Sequence, residues 1–169
     1  MRRATLAATL ALLVVLIGAV PAAASNDPHR IPYPNGPFDL PADFCGFAIH
    51  VETPFDHAAI TEQVLSDGTV IDAVSGGVFL TMTNTENDAS ITVNASGPGV
   101  FTIKPYVSIT GEFRGRGFLY ATNLTAFGFP SNVVAVAGPV TIAQDFGTLD
   151  FTSVAGGPRV ITDICAALE

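Results

Sequence analysis

The chain has no tryptophan, two cysteines, three histidines and only seven cationic side chains, and each scarcity removes a class of function. Without tryptophan, the broad aromatic platforms on which sugars stack are thin. Seven Lys and Arg stand against fifteen Asp and Glu, a formal charge of -8. That balance argues against a nucleic-acid partner and against anionic membrane surfaces. Two cysteines without a C-x-x-C pair, and with no histidine near either, match no zinc or thioredoxin-like pattern. No G-x-S-x-G elbow is present, so the sequence names no nucleophile and no catalytic residue. Beyond residue 25 helical periodicity is confined to a final turn around Ile164–Leu168. No second long apolar run follows the first, which predicts no membrane span in the mature chain.

The first apolar run is informative. Arg2 and Arg3 precede Ala4–Val20, and Pro21-Ala22-Ala23-Ala24-Ser25 offers an Ala-x-Ala cleavage site after Ala24. This is the layout of a secretory signal peptide over residues 1–24. A retained anchor fits less well. The run is 17 residues long and contains Thr5, Thr9 and Gly18, whereas a span takes about 20 apolar residues. Cleavage leaves 145 residues (169 less 24) and removes two cations, so five cations face fifteen anions and the charge becomes -10. The expectation is a secreted monomer. In an oxidising compartment Cys45 and Cys165 most simply pair with each other, closing a loop of 120 residues. The chain-entropy model gives such a loop about 5 kcal/mol of stabilisation.

Residues 25–44 read as a proline-rich N-terminal arm. Pro28, Pro32, Pro34, Pro37 and Pro41 exclude helix and central strand, while Ile31, Tyr33, Phe38 and Leu40 can lie on the body. Residues 45–169 read as a single β domain. Phe47, Ile49 and Val51 alternate with Ala48, His50 and Glu52. Val70, Val74, Val78, Leu80 and Met82 share one parity, with Asp72 and Gly76. Ile91, Val93 and Ala95 alternate with polar residues, and further strands are expected over Val107–Tyr120, Asn132–Ala143, Thr148–Val154 and Arg159–Ile164. Ser66-Asp67-Gly68-Thr69 reads as a hairpin turn. Gly97-Pro98-Gly99, Asp145-Phe146-Gly147 and Gly156-Gly157-Pro158 read as breaks between antiparallel neighbours. The fold predicted is an all-β antiparallel meander of eight or nine strands closed into a barrel, with glycines Gly76, Gly77, Gly111, Gly115 and Gly117 marking bends. A two-sheet β-sandwich is the alternative.

Candidate sites are few. His50, Glu52 and His57 have the residue types of a metal site but no recognised spacing, and a solvated strand face accounts for them, so no metal and no cofactor is assigned. Glu112, Arg114 and Arg116 share one parity of a predicted strand, where two of five mature cations form a possible anion clamp or simple cross-strand pairs. Tyr120, Phe127 and Phe129 flank an apolar loop that reads either as a pocket lip or as a plug over one end of the barrel. Glu112, Arg114, Arg116, Tyr120, Phe127 and Phe129 are therefore the candidate ligand-binding residues.

Asp43-Phe44-Cys45-Gly46-Phe47, the Ser66-Asp67-Gly68-Thr69 turn, the stretch Ile91–Gly99 and the ending Val160–Leu168 together resemble small exported all-β proteins of actinobacteria. The likeness spans residues 43–168. It implies export, a cysteine pair and the β class, and it transfers no catalytic residue, because that group carries no assigned activity. The functional expectation is a non-catalytic exported barrel that binds a small apolar molecule or serves as an envelope or extracellular interaction module. The alternative is a cyclase-like barrel enzyme with a polar pocket around Glu112, Arg114 and Arg116.

Overall fold

A computed structural model describes residues 29–32, 36–148 and 150–169. The expected signal peptide and part of the arm lie outside the described residues. Within the body, strands come in collinear pairs. These are β3 (Ile49–Asp56) with β4 (Ala59–Val64), β5 (Val70–Ser75) with β6 (Val78–Asn84), and β7 (Ser90–Asn94) with β8 (Gly99–Lys104). They continue with β9 (Ser108–Phe113) and β10 (Arg116–Tyr120), β11 (Val133–Ala137) and β12 (Val140–Asp145), and β13 (Phe151–Gly156) and β14 (Arg159–Asp163). Each pair is one long strand broken at the same height. The six long strands run as an antiparallel meander, and the breaks form a crease across it.

The crease has a local cause. Gly76 carries φ +122°, and a Cβ there would lie 2.3 Å from the His57 carbonyl oxygen. Gly115 carries φ +107° at the break between β9 and β10. Both conformations suit glycine and few other residues. Hydrogen bonds hold the strands together through the bend: His57 N–H donates to Gly77 O at 2.8 Å, Arg114 N–H to Pro98 O at 2.9 Å, and Gly138 N–H to Gly115 O at 2.7 Å. Gly97-Pro98-Gly99 and Gly156-Gly157-Pro158 therefore sit at bends inside long strands, where the sequence suggested chain reversals. The actual reversals lie at 65–69, 85–89, 105–107 and 121–132 and begin again at 146–148.

Above the crease the long strands form one sheet in the order β4-β5-β8-β9-β12-β13. The edge strand β1 (His29–Pro32) extends it beside β4. Below the crease the ladder splits. Arg116 N–H donates to Ser96 O at 3.3 Å, and beyond that bond β7 and β10 part. One lower sheet runs β2-β3-β6-β7, where β2 (Phe38–Leu40) is a second edge strand from the arm. The other lower sheet is β10-β11-β14. Proline keeps β1 and β2 at sheet edges, as the arm's composition requires.

The small sheet β10-β11-β14 is a wedge. One of its faces packs on Ile49, Val51, Met82 and Val93 of the sheet β2-β3-β6-β7. The opposite face packs on Val140, Ile142 and Phe151 of the large sheet and on Leu124 of a 3₁₀ turn, Leu124–Phe127. Its central strand explains this. Val133, Val134, Ala135 and Val136 are each at most 2% exposed, which is the continuous apolar run of a strand buried on both faces. The architecture is thus all-β and antiparallel, and no sheet closes on itself among the described residues. The layered lower half fits the sandwich alternative better than the expected barrel. Above the crease the edge strands β1 and β13 do not pair with each other, and below it the split between β7 and β10 opens a second gap, whereas a barrel needs a continuous ladder.

Cys45 and Cys165 are bonded, with Cα atoms 5.2 Å apart. The bond ties the turn after β2 to the terminal helix α1 (Ile164–Leu168). Asp163 caps that helix by accepting from Ala166 N–H. Buried Asn84 donates to the Leu168 carbonyl at 3.0 Å, and Ile164 and Leu168 are fully buried. Phe44 packs on the same cluster. No described helix is long and apolar enough to cross a membrane.

Candidate functional site

A cavity of about 390 Å³ opens where the wedge fails to fill the bend. Its floor is the concave face of the large sheet, with Val74, Phe101, Phe113 and Ile142. These residues share one face because the registers Val74↔Gly99↔Phe113 and Phe101↔Gly111↔Ile142 place them in adjacent rows. Gly111 stands in one of those rows, where a Cβ would lie 3.1 Å from both Ile142 and Phe113. Its missing side chain lets the neighbouring aromatics close over the sheet. Val78 and Leu80 of β6 form a second wall.

The third wall is the edge of β10. All five residues from Arg116 to Tyr120 border the cavity. A strand facing a cavity contributes alternate residues, so five consecutive ones mean that β10 presents its edge. The hydrogen-bond pattern agrees. Arg116 directs its N–H away from β11, and by alternation Phe118 and Tyr120 do the same. No described strand lies beyond them.

The rim is aromatic. Tyr120 stacks on Phe118 at a centroid distance of 5.2 Å and contacts Phe44 at 6.0 Å and Phe38 at 6.2 Å. Burial pushes the Tyr120 phenol up, so its hydroxyl stays neutral. Gln144 adds an amide on the large sheet. Arg116 is the single charged residue among the described residues bordering the cavity.

The sequence candidates divide. Arg116 and Tyr120 border the cavity. Glu112 does not, because it lies on the outer face of β9 between inward-facing Gly111 and Phe113. Arg114 is exposed at the crease. The left-handed turn at Gly115 breaks the parity that placed Glu112, Arg114 and Arg116 together, so the three do not converge. Phe127 and Phe129 pack on the core behind the wedge, Phe127 against Phe151 at 6.5 Å. Neither borders the cavity. Phe38, Val74, Phe101 and Phe113 were not singled out. The parity of strands 70–75, 99–104 and 108–113 would have found the last three once the strand order was known.

Other polar groups lie elsewhere. His50 Nδ1–H donates to the Asp39 carboxylate at 2.6 Å, and the ring approaches Glu52 at 3.8 Å on the outer face of the β2-β3 pair. The Asp39 hydrogen bond holds its imidazole above the ordinary value. His57 instead contacts the Phe55 ring at 4.5 Å. Asn94 and Asn123 stand in sequons, yet their side chains serve the fold: Asn94 accepts from Ser96 N–H, and Asn123 brackets the Phe151 backbone. Asp72, opposite Glu62 on the inner face of the large sheet, has an Oδ1 that is buried without a hydrogen-bond partner. Burial first, and then Glu62, raise its carboxyl above the usual range.

Comparison of the chain with known protein families, characterised proteins and solved structures finds no match.

Proposed function

We propose that this is an exported, non-catalytic β protein that holds a small, largely apolar molecule in the cavity between the creased sheet and the edge of β10. The observation that carries the reading is the lining. Valine, leucine, isoleucine and phenylalanine dominate it, with one arginine, one tyrosine and one glutamine as polar points. Ligand pockets commonly have this composition and a volume of about 300–1,000 Å³. An enzyme of the cyclase-like type would be favoured by convergent ionisable groups with shifted pKa values at the floor. Tyr120 is the one cavity residue with a resolved shift, and Glu112 faces outward. Export is supported by the leader pattern and by the Cys45–Cys165 bond, which suits an oxidising compartment.

The test is titration with N-phenyl-1-naphthylamine, an uncharged fluorophore that brightens in apolar surroundings. Saturable one-to-one binding is expected, with loss in Val74→Phe, which fills the floor while the protein stays folded by circular dichroism. Unsaturable binding, or full binding in the filled variant, refutes the cavity as the site. The mass of protein recovered from culture medium tests export, with a chain starting at Ser25 expected and intact residues 1–24 as the contrary result.

The reading as an envelope or extracellular interaction module rests on a different place. Tyr106, 91% exposed, and Val107 sit on the β8–β9 turn, with the Phe146 ring 5.7 Å from Tyr106 on the neighbouring turn. Tyr106→Ser would abolish sedimentation with cell walls on that reading and leave fluorophore binding intact.

A further inference from the structure

The cavity wall carries one charge, and its sign runs against the rest of the protein. The chain has fifteen acidic and seven basic side chains, yet among the described residues no carboxylate borders the cavity and Arg116 does. Among the described residues its guanidinium has no ion-pair partner. Arg116 is exposed where β10 leaves β7, and it precedes Phe118 on the strand whose edge borders the cavity. The Phe118 amide points away from β11 and has no strand beyond it. A guanidinium and an edge N–H carried by one strand at the border of an apolar cavity are donors suited to a carboxylate. At the other end of β10, Tyr120 is neutral and packed among Phe38, Phe44 and Phe118.

We infer that the cavity selects amphipathic carboxylates, with the carboxylate on Arg116 and the Phe118 amide and the hydrocarbon body against Phe101, Phe113 and Leu80. This rests on the cavity reading above and names the class of ligand.

The experiment displaces N-phenyl-1-naphthylamine from the full mature chain at pH 7.5 with decanoate, decanol and decylamine, three probes of equal length and different charge. Decanoate is expected to displace it at least about tenfold more tightly than decanol, the scale of a hydrogen-bonded charge pair. Decylamine is expected to be weakest, although the net charge of the protein favours a cation. Arg116→Gln should erase the preference for decanoate, Arg116→Lys should retain part of it, and Arg114→Gln, off the cavity wall, should leave it unchanged. Equal displacement by decanoate and decanol overturns the selectivity while leaving the cavity reading standing, as does a preference for decylamine. Failure of the fluorophore itself to bind removes the cavity reading and this inference together.

Discussion

Replacing Cys45 and Cys165 together by alanine tests how the two ends of the chain are held. The bond closes a loop across 120 residues of sequence separation. With that length, the loop-entropy relation gives about 16 cal/mol/K, or about 5 kcal/mol at 25 °C. The native state has independent hold on the same segment. Ile164 and Leu168 are fully buried, Asn84 donates to the Leu168 carbonyl, and Asp163 caps the helix. The bond therefore acts mainly by restricting the unfolded chain, and the folded double variant should keep its structure. Urea unfolding at pH 7 should show a loss of about 5 kcal/mol, with a larger m-value because the freed unfolded chain exposes more surface. For a chain of this size that corresponds to a fall in Tm on the order of 15 °C. Hydrogen exchange reads the alternative. If the helix peels away while the rest keeps its stability, protection is lost over 164–169 alone and the stability loss stays under about 2 kcal/mol, and the argument from the unfolded chain fails.

Three further outcomes follow from single positions. A Cβ at Gly97 would lie 2.3 Å from Arg116 O and 3.0 Å from Arg114 O, so Gly97→Ala should cost about 3 kcal/mol in chemical unfolding. Gly157→Ala, with open space around it, should change stability by less than about 0.5 kcal/mol; equal effects would show that the crease is not tightly packed. Asp72→Val should raise stability at pH 7 by about 1 kcal/mol by removing a buried unpaired oxygen. A carboxyl raised in the folded state contributes stability below its unfolded pKa and loses it as pH rises through the folded value. The gain should therefore shrink as the pH falls through the raised folded value and level off below about 4, and a gain that grows in acid would refute the assignment. His50 should titrate above the ordinary imidazole value by NMR and return toward it in Asp39→Asn. The raised value means that the β2–β3 latch is strongest below neutrality and weakens as pH rises through it, which exchange at Phe38–Leu40 would report.

Much of the fold was legible because period-two alternation survives in short windows. Phe47, Ile49 and Val51 did form a core face, and Leu80 and Met82 joined it. Asp67 and Gly68 did make a reversal, with the Asp67 carboxylate accepting from Thr69 N–H. The last turn of helix was visible in Ile164–Leu168. The crease was not, because glycine and proline punctuate a bend and a reversal alike. Gly97-Pro98-Gly99 has the residues of a turn, and the position of its neighbours in space decides which it becomes. Parity then failed wherever it was carried across the crease, as from Glu112 through Gly115 to Arg116. The wedge had one clear signal, the unbroken run Val133–Ala137, which marks a strand covered on both sides and is incompatible with the one-sided strands of a filled barrel. Phe38 lay beyond reach for another reason: a proline-rich arm has no period from which to read a face.

The cavity and the split of the lower ladder have the same origin. A continuous lower sheet, which closure needs as well as pairing of the end strands, would require the ladder between β7 and β10 to continue past the Ser96–Arg116 bond. Ser96 instead turns its hydroxyl to both the N–H and the carbonyl of Val78, and its own N–H goes to the Asn94 side chain. The two hydroxyl bonds hold the end of β7 to β6, so it does not follow β10. The wedge can then insert between the two larger sheets, and it buries both faces of β11 at the expense of leaving the edge of β10 without a strand. An unpaired amide bordering apolar surface is costly unless something polar reaches it. The same geometry that splits the lower ladder therefore leaves hydrogen-bonding capacity on the strand that carries Arg116, the one cation among the described residues bordering the cavity. A polar-headed apolar molecule satisfies both parts of the cavity wall, and a purely hydrocarbon one leaves the edge of β10 unmet.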